Sequence, residues 1–449
     1  MWFAAFVGCQ GGPATANEPS QTSTPSPTPP PTTGPPLPPP CIVPEGDFGA
    51  ADANVLAGTD GFGQLGAAIV SFDGPDGPRW AIGAPGAFDL AGGVSIVDAT
   101  GTVRGEWEGI GFAYAGVALA TGDADGDGAI DLAVGGRTAP DEIGAPGGAW
   151  RVLGASDGDR FLADSTLYTG DDENDWAGAS VALADLDGDG LAELFAGAPF
   201  AADEDEEFGI VYRALLDDPA GRFSDLAAGS PGPEQSDAGT AIGHIGDTDG
   251  DGLAELAVGA PYADPARMWR IQTFAPGVPL PEAAATEVRG GGASLLGWAF
   301  ARPTDIDGDG RRDVVVTDPG NGSALAFTGA AAPTMSLSDA THTWSGNLGE
   351  LVGTSIDALD VDCDDAPDLL LGSYLAEEGA GAAYLWLGAN GAGSFDLVTA
   401  TFVGNLADDL GGYAVGIQVV DERATFAMGA PGADEGAGDG GAVLFFATN

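Results

Sequence analysis

The chain has 449 residues, 44 % of them hydrophobic, which is enough for a large core, and its 75 glycines follow no three-residue period, so they belong to turns and tight strand connections. Against 68 Asp and Glu stand 14 basic residues, a formal charge of −54 that argues against nucleic acid and anionic membrane surfaces as partners. Cys9, Cys41 and Cys363 fit neither a zinc site nor a dense disulfide framework, and no stretch is long enough to span a bilayer as a helix.

In chain order, residues 1–9 come first. Phe6-Val7-Gly8-Cys9 resembles a bacterial lipobox, in which the cysteine is acylated, although only the end of the apolar segment that precedes such a site is present. The resemblance implies lipidation at Cys9 and a start that lies upstream. Residues 10–41, rich in Pro, Thr and Ser, bury no core and are expected to form an extended, semi-rigid spacer. A stalk after a lipid anchor would hold a domain off a membrane.

Residues 42–449 carry a repeat. A Gly-containing turn leads into a short apolar run, then an Asp-rich turn, a second apolar run, a Gly-rich loop and a third run. The second runs are Ala81-Ile82-Gly83-Ala84-Pro85, Ala133-Val134-Gly135-Gly136, Phe195-Ala196-Gly197-Ala198-Pro199, Ala257-Val258-Gly259-Ala260-Pro261, Val315-Val316-Thr317-Asp318-Pro319, Leu370-Leu371-Gly372-Ser373 and Ala427-Met428-Gly429-Ala430-Pro431. Seven copies, spaced 52 to 62 residues apart, predict an all-β fold: a seven-bladed β-propeller of four-stranded antiparallel blades. The chain finishes on a third-strand run, Gly441 to Ala447, and its folded part begins with Asn54-Val55-Leu56-Ala57-Gly58, which looks like the fourth-strand run Thr399 to Gly404. The N-terminal strand is therefore expected to complete the last blade and close the ring.

Five repeats place acids at first, third, fifth and ninth positions of the turn. These are Asp123, Asp125, Asp127, Asp131; Asp185, Asp187, Asp189, Glu193; Asp247, Asp249, Asp251, Glu255; Asp305, Asp307, Asp309, Asp313; and Asp360, Asp362, Asp364, Asp368. Calcium takes six to eight oxygen ligands, and alternate carboxylates on a tight loop converge on one point. The seventh-position carbonyls of Ala129, Leu191, Leu253, Arg311 and Ala366 are candidates to complete each cage. Gly at the fourth and sixth positions permits the turn, but the sixth repeat has Cys363 and Asp365 there. An EF-hand is the rival, but its loop has 12 residues and is flanked by helices, whereas here the ninth acid runs into a β segment. About five Ca2+ sites are expected; solvated acidic turns are the plain alternative. The first and last repeats, with Asp73 to Gly77 and Val420 to Arg423, lack the cage and read as ordinary hairpins. Cages consume 20 acids, leaving 48 against 14 bases, so much of the acidity, including Asp171-Asp172-Glu173 and Asp203 to Glu207, reads as solvated surface.

The Phe-Gly-like turn, the Asp-x-Asp-x-Asp-Gly loop and Gly-Ala-Pro together resemble the FG-GAP repeat of integrin α subunits and of bacterial surface proteins. The Phe-Gly half is degenerate: Gly61-Phe62-Gly63 and Gly111-Phe112 fit, whereas the fourth repeat has Asp237-Ala238-Gly239. The resemblance implies calcium between the first two strands of a blade, a ligand-binding role on the opposite face, and an extracellular or bacterial outer-membrane location.

Only His244 and His342 offer imidazoles, and no Gly-x-Ser-x-Gly or phosphate loop occurs, so no catalytic role is expected. His244 reads as structural and His342 as exposed. Trp176, Trp298 and Tyr413 near the blade entrances suit either sugar stacking or packing between blades. Cys41 and Cys363 are candidates for a disulfide. The expected role is a monomeric adhesion, binding or assembly module for a protein or glycan ligand, meeting a membrane only through an N-terminal anchor. A carbohydrate-active enzyme or lectin is the alternative.

Overall fold

Short apolar runs of three to eight residues, broken by Gly- and Asp-rich turns, fold into seven blade sheets that follow one another around a ring. The computed structural model describes residues 44–447 apart from 60–62, 139–145, 204–205, 227–228, 329–331, 389–392, 394–397, 405–408, 421 and 434–439. The segments expected to form an anchor and a spacer, with Cys9 and Cys41, lie outside these residues. The only α-helix among them is the single turn Leu280–Ala283.

Blade 1 shows the plan. Its strands, innermost first, are Ala68–Gly74, Gly77–Gly83, Gly93–Asp98 and Val103–Glu108, each antiparallel to the next. Blade 7 is assembled from both ends of the chain: Ala414–Val420, Arg423–Ala430 and Ala442–Ala447 are completed by Asn54–Ala57, with Asn54 opposite Phe445 and Ala57 opposite Ala442. The expected strand exchange is what closes the ring.

The uniform four-stranded blade needs correction. Blades 1, 2, 4 and 6 have five strands. The fifth runs parallel to the outermost strand: Arg160–Phe161 on blade 1, Gly221–Arg222 on blade 2, Thr334–Ser336 on blade 4 and Gly46–Phe48 on blade 6. Each such strap comes from the connection between third and fourth strands of the following blade, and Gly46–Phe48 precedes the fourth strand of blade 7. The straps cover sheet edges that would otherwise offer unpaired backbone groups. Blade 5 has only three continuous strands, Val314–Asp318, Ser323–Phe327 and His342–Ser345. Its innermost segment touches through isolated bridges, Phe300 to Val316 and Thr304 to Asp313. Pro303 interrupts the ladder there because it has no N–H to donate.

The core lies between the blades. Each of the seven seams has its own buried apolar interface, including the one joining blade 7 to blade 1 through Phe445, Val443, Trp80 and Ile82. A blade alone would expose both faces, so the ring is the smallest unit that buries them.

The glycines of the repeat hold these seams together. In blade 4 a Cβ on Gly259 would collide with the carbonyl oxygen of Gly297, which leads into blade 5 with φ +88. The same backbone approach recurs at Gly83, Gly135, Gly197, Gly372 and Gly429. The lead-in glycines are Gly66, Gly116, Gly178, Gly239, Gly297, Gly353 and Gly412, all with positive φ. This places the Phe-Gly-like turn of blades 1 and 2 at Leu65-Gly66 and Ala115-Gly116, a few residues beyond the Phe-containing stretches that the sequence suggested.

Candidate metal centres

Each acidic turn joins the innermost strand of a blade to the second, and the ninth-position acid is the first residue of that second strand in blades 2, 3, 4 and 6. The turn folds around the first aspartate. Asp123 accepts from the N–H of Gly126 at 2.8 Å and of Gly128 at 3.0 Å, and Asp185, Asp247 and Asp305 repeat the pattern. The third- and fifth-position aspartates accept from N–H groups two residues on, so Asp127 takes the N–H of Ala129 at 2.7 Å and Asp189 that of Leu191 at 2.9 Å. The ninth acid reaches back to the second position: Ala124, Leu186, Thr248, Ile306 and Val361 donate to Asp131, Glu193, Glu255, Asp313 and Asp368 at 2.6–3.0 Å.

The carboxylates converge to differing degrees. In blade 4, Asp247, Asp249, Asp251 and Glu255 each place an oxygen within 4.8 Å of the others. In blades 2 and 3 the first three aspartates do so, and in blades 5 and 6 the first, third and ninth acids, Asp305, Asp307, Asp313 and Asp360, Asp362, Asp368. Bonds of 2.3–2.6 Å to one ion put its ligands at most about 5 Å apart, so each group fits a single calcium. Asp131, Glu193, Asp309 and Asp364 lie outside the tight groups.

A second feature bears on the fit. Glu255 Oε1 and Asp313 Oδ1 are buried and accept no hydrogen bond, whereas Glu193 Oε1, also without one, lies 3.8 Å from the Arg213 guanidinium. Glu255 and Asp313 are 0 % and 2 % exposed, where an unpartnered carboxylate oxygen is costly unless a cation meets it. Burial pushes the Asp313 carboxyl up to about 6 and that of Asp368 up to about 7, and raises Asp131, Glu193 and Glu255. In blades 2 and 6 the second oxygen of the ninth acid is taken by a backbone N–H, from Gly154 to Asp131 at 2.6 Å and from Gly388 to Asp368 at 2.7 Å. Blade 6 departs further. Cys363 and Asp365 adopt φ +61 and +68 in place of glycine, and Asp360 accepts from Asp364 and Asp365. Cys363 is disulfide-bonded.

The acidic spacing gives no sign of the guanidinium beside the blade 4 cage. Arg270 Nη1 donates to Thr248 Oγ1 at 2.7 Å and lies 3.6 Å from Asp249 and 3.8 Å from Glu255. The signal available was its place on the third strand, opposite Ala257, two residues past Glu255.

The first and last repeats turn in two residues, with Gly74 opposite Gly77 and Val420 opposite Arg423; Asp421 lies outside the described residues. His244 is half-buried, and burial lowers its pKa. His342 stacks on Trp344 with ring centroids 5.9 Å apart. The entrance aromatics pair, Trp298 with Tyr262 and Tyr413 with Tyr374 across seams and Trp176 with Phe200, while Arg137 lies over the Trp176 ring. Tyr262 remains 54 % and Tyr413 36 % exposed, so pairing leaves ring surface free.

The FG-GAP repeat family matches residues 177–212 and 238–272, which begin at the lead-in turns of blades 3 and 4. Integrin alpha-PS2 of Drosophila melanogaster is 34 % identical over 160 residues, 34 % of this chain and 11 % of that protein. Integrin alpha-7 of Mus musculus is 27 % identical over 182 residues, 40 % and 15 % of the two chains. Integrin alpha pat-2 of Caenorhabditis briggsae is 26 % identical over 313 residues, 62 % and 25 %. The matches span between a tenth and about a quarter of these relatives' own length.

Proposed function

We propose that this chain, a seven-bladed propeller built of FG-GAP repeats and similar to integrin α subunits, is a calcium-loaded, non-catalytic binding module that works outside the cell. The observation that carries the reading is the convergence of carboxylate oxygens in five acidic turns, with buried, unpartnered oxygens on Glu255 and Asp313 within two of those groups. Bound calcium would neutralise the clustered carboxylates and fix each turn; the side chains named above and the carbonyls of Ala129, Leu191, Leu253, Arg311 and Ala366 would hold it. Around them the chain supplies backbone N–H groups that aim the carboxylates and a closed ring that keeps the turns in place.

Each filled site stabilises the native state by about 2.7 kcal/mol at a hundredfold excess of free calcium over its dissociation constant. Chelation should therefore lower the melting temperature by many degrees, and added calcium should restore it. A melting curve indifferent to EDTA, or a dialysed protein that takes up no calcium, would reject the reading.

The partner is a protein or glycan. Glycan binding is favoured by the exposed ring surface of Tyr262 and Tyr413, and an array of polysaccharides tests it. Product release from a polysaccharide would overturn the non-catalytic role. Tethering through an acylated Cys9 and the 10–41 spacer is tested by mass spectrometry of the mature N-terminus. We assign Cys41 as the partner of Cys363, because Gly46–Phe48, just downstream of Cys41, is held on blade 6, which carries Cys363. Peptide mapping without reduction checks the pair.

A further inference from the structure

Neighbouring cages touch. The seventh-position side chain of one lies against the fourth-position glycine of the cage before it. Leu191 Cδ2 would stand 2.9 Å from a Cβ on Gly126, Leu253 Cδ2 2.6 Å from one on Gly188, and Arg311 Nε 2.9 Å from one on Gly250. Backbone bonds add to this: Ala192 N–H donates to Asp123 O and Arg312 N–H to Asp247 O, both at 2.9 Å. The row ends at blade 6. A Cβ on Gly308 would meet nothing within 4 Å, its counterpart there is the short Ala366, and Pro367 has no N–H to donate.

We propose that the cages of blades 2 to 5 load calcium as a coupled row, with the blade 6 cage loading on its own. This rests on the calcium reading above. The turn at Gly126 donates its N–H to Asp123, so whatever fixes that turn also aims a ligand. Leu191 and Ala192 belong to the neighbouring loop, which an ion among Asp185, Asp187 and Asp189 would freeze. Filling one cage thus pays part of the ordering cost of the next, and by linkage the effect is mutual. Direct repulsion between ions opposes it. That term is screened over about 8–10 Å at physiological salt, whereas packing contacts are not.

The test is calcium titration calorimetry on the full chain at about 0.15 M salt, with circular dichroism to verify folding. The wild type should bind about five ions, with most sites filling more steeply than independent sites do. Leu191→Ala with Leu253→Ala keeps every carboxylate and carbonyl, so the number of ions should stay the same while the isotherm flattens and the row's affinity falls about fivefold or more. If that variant does not fold, Arg311→Ala, whose side chain is exposed, should flatten the isotherm in part. Ions bound with one unchanged hyperbolic isotherm in wild type and variants would overturn the coupling and leave the calcium reading standing. Uptake of no ions would overturn both.

Discussion

At the scale of single residues, the cages set buried carboxylates against the cost of leaving them charged. Asp313 and Asp368 sit well above their ordinary value of 3.8, at about 6 and about 7, because burial disfavours the charge. The folded state therefore holds protons that the unfolded chain has released. In chelator, this contribution to stability is fully present below about pH 4 and is lost as pH rises through about 6 to 7. Calcium replaces the proton, so the gap in melting temperature between calcium and EDTA should widen from about pH 5 to about pH 7.5. A constant gap would contradict the assignment. The acidic spacing was legible in the sequence because five copies repeat it. The orphaned oxygens and Arg270 were not, since they depend on which strand lies opposite.

At the scale of elements, one arginine ties the innermost strands of three blades together. Arg302, beside blade 5, forms a two-bonded pair with Asp357 of blade 6 and also donates to Ser71 Oγ of blade 1 and Ile417 O of blade 7 at 3.1 and 3.2 Å. Asp357 in turn accepts from Ile417 N–H at 2.7 Å. The Asp357 side chain is 9 % exposed and that of Arg302 34 %, so the pair is worth less than a fully buried one. Arg302→Met should lower stability by about 1–3 kcal/mol in urea melts, with much of the loss recovered when Asp357→Leu is added. Nothing in the run Ala301-Arg302-Pro303 foretold this role, because the partners come from three other blades. The straps escaped notice for a similar reason: two or three residues are too few to carry a periodicity.

At the scale of the whole molecule, stability depends on closure. The N-terminal strand Asn54–Ala57 and the strap Gly46–Phe48 together cover two blades. Removing residues 44–57 should leave blade 7 with an open edge, lower the melting temperature, and produce oligomers by edge pairing. Light scattering after size exclusion reads the result; a monomer of unchanged melting temperature would show that the exchange contributes nothing.

The number of blades, the location of the acidic turns and the exchange of the terminal strand could be read from the chain alone. All of these are written in short-range spacing and in its repetition. Which oxygens lack partners, which glycines meet a neighbour's backbone, how straps cover edges and how one cage touches the next emerge once the blades pack. Those properties arise between blades, where residues about sixty positions apart come within bonding distance, and spacing along the chain says nothing about approach across a seam.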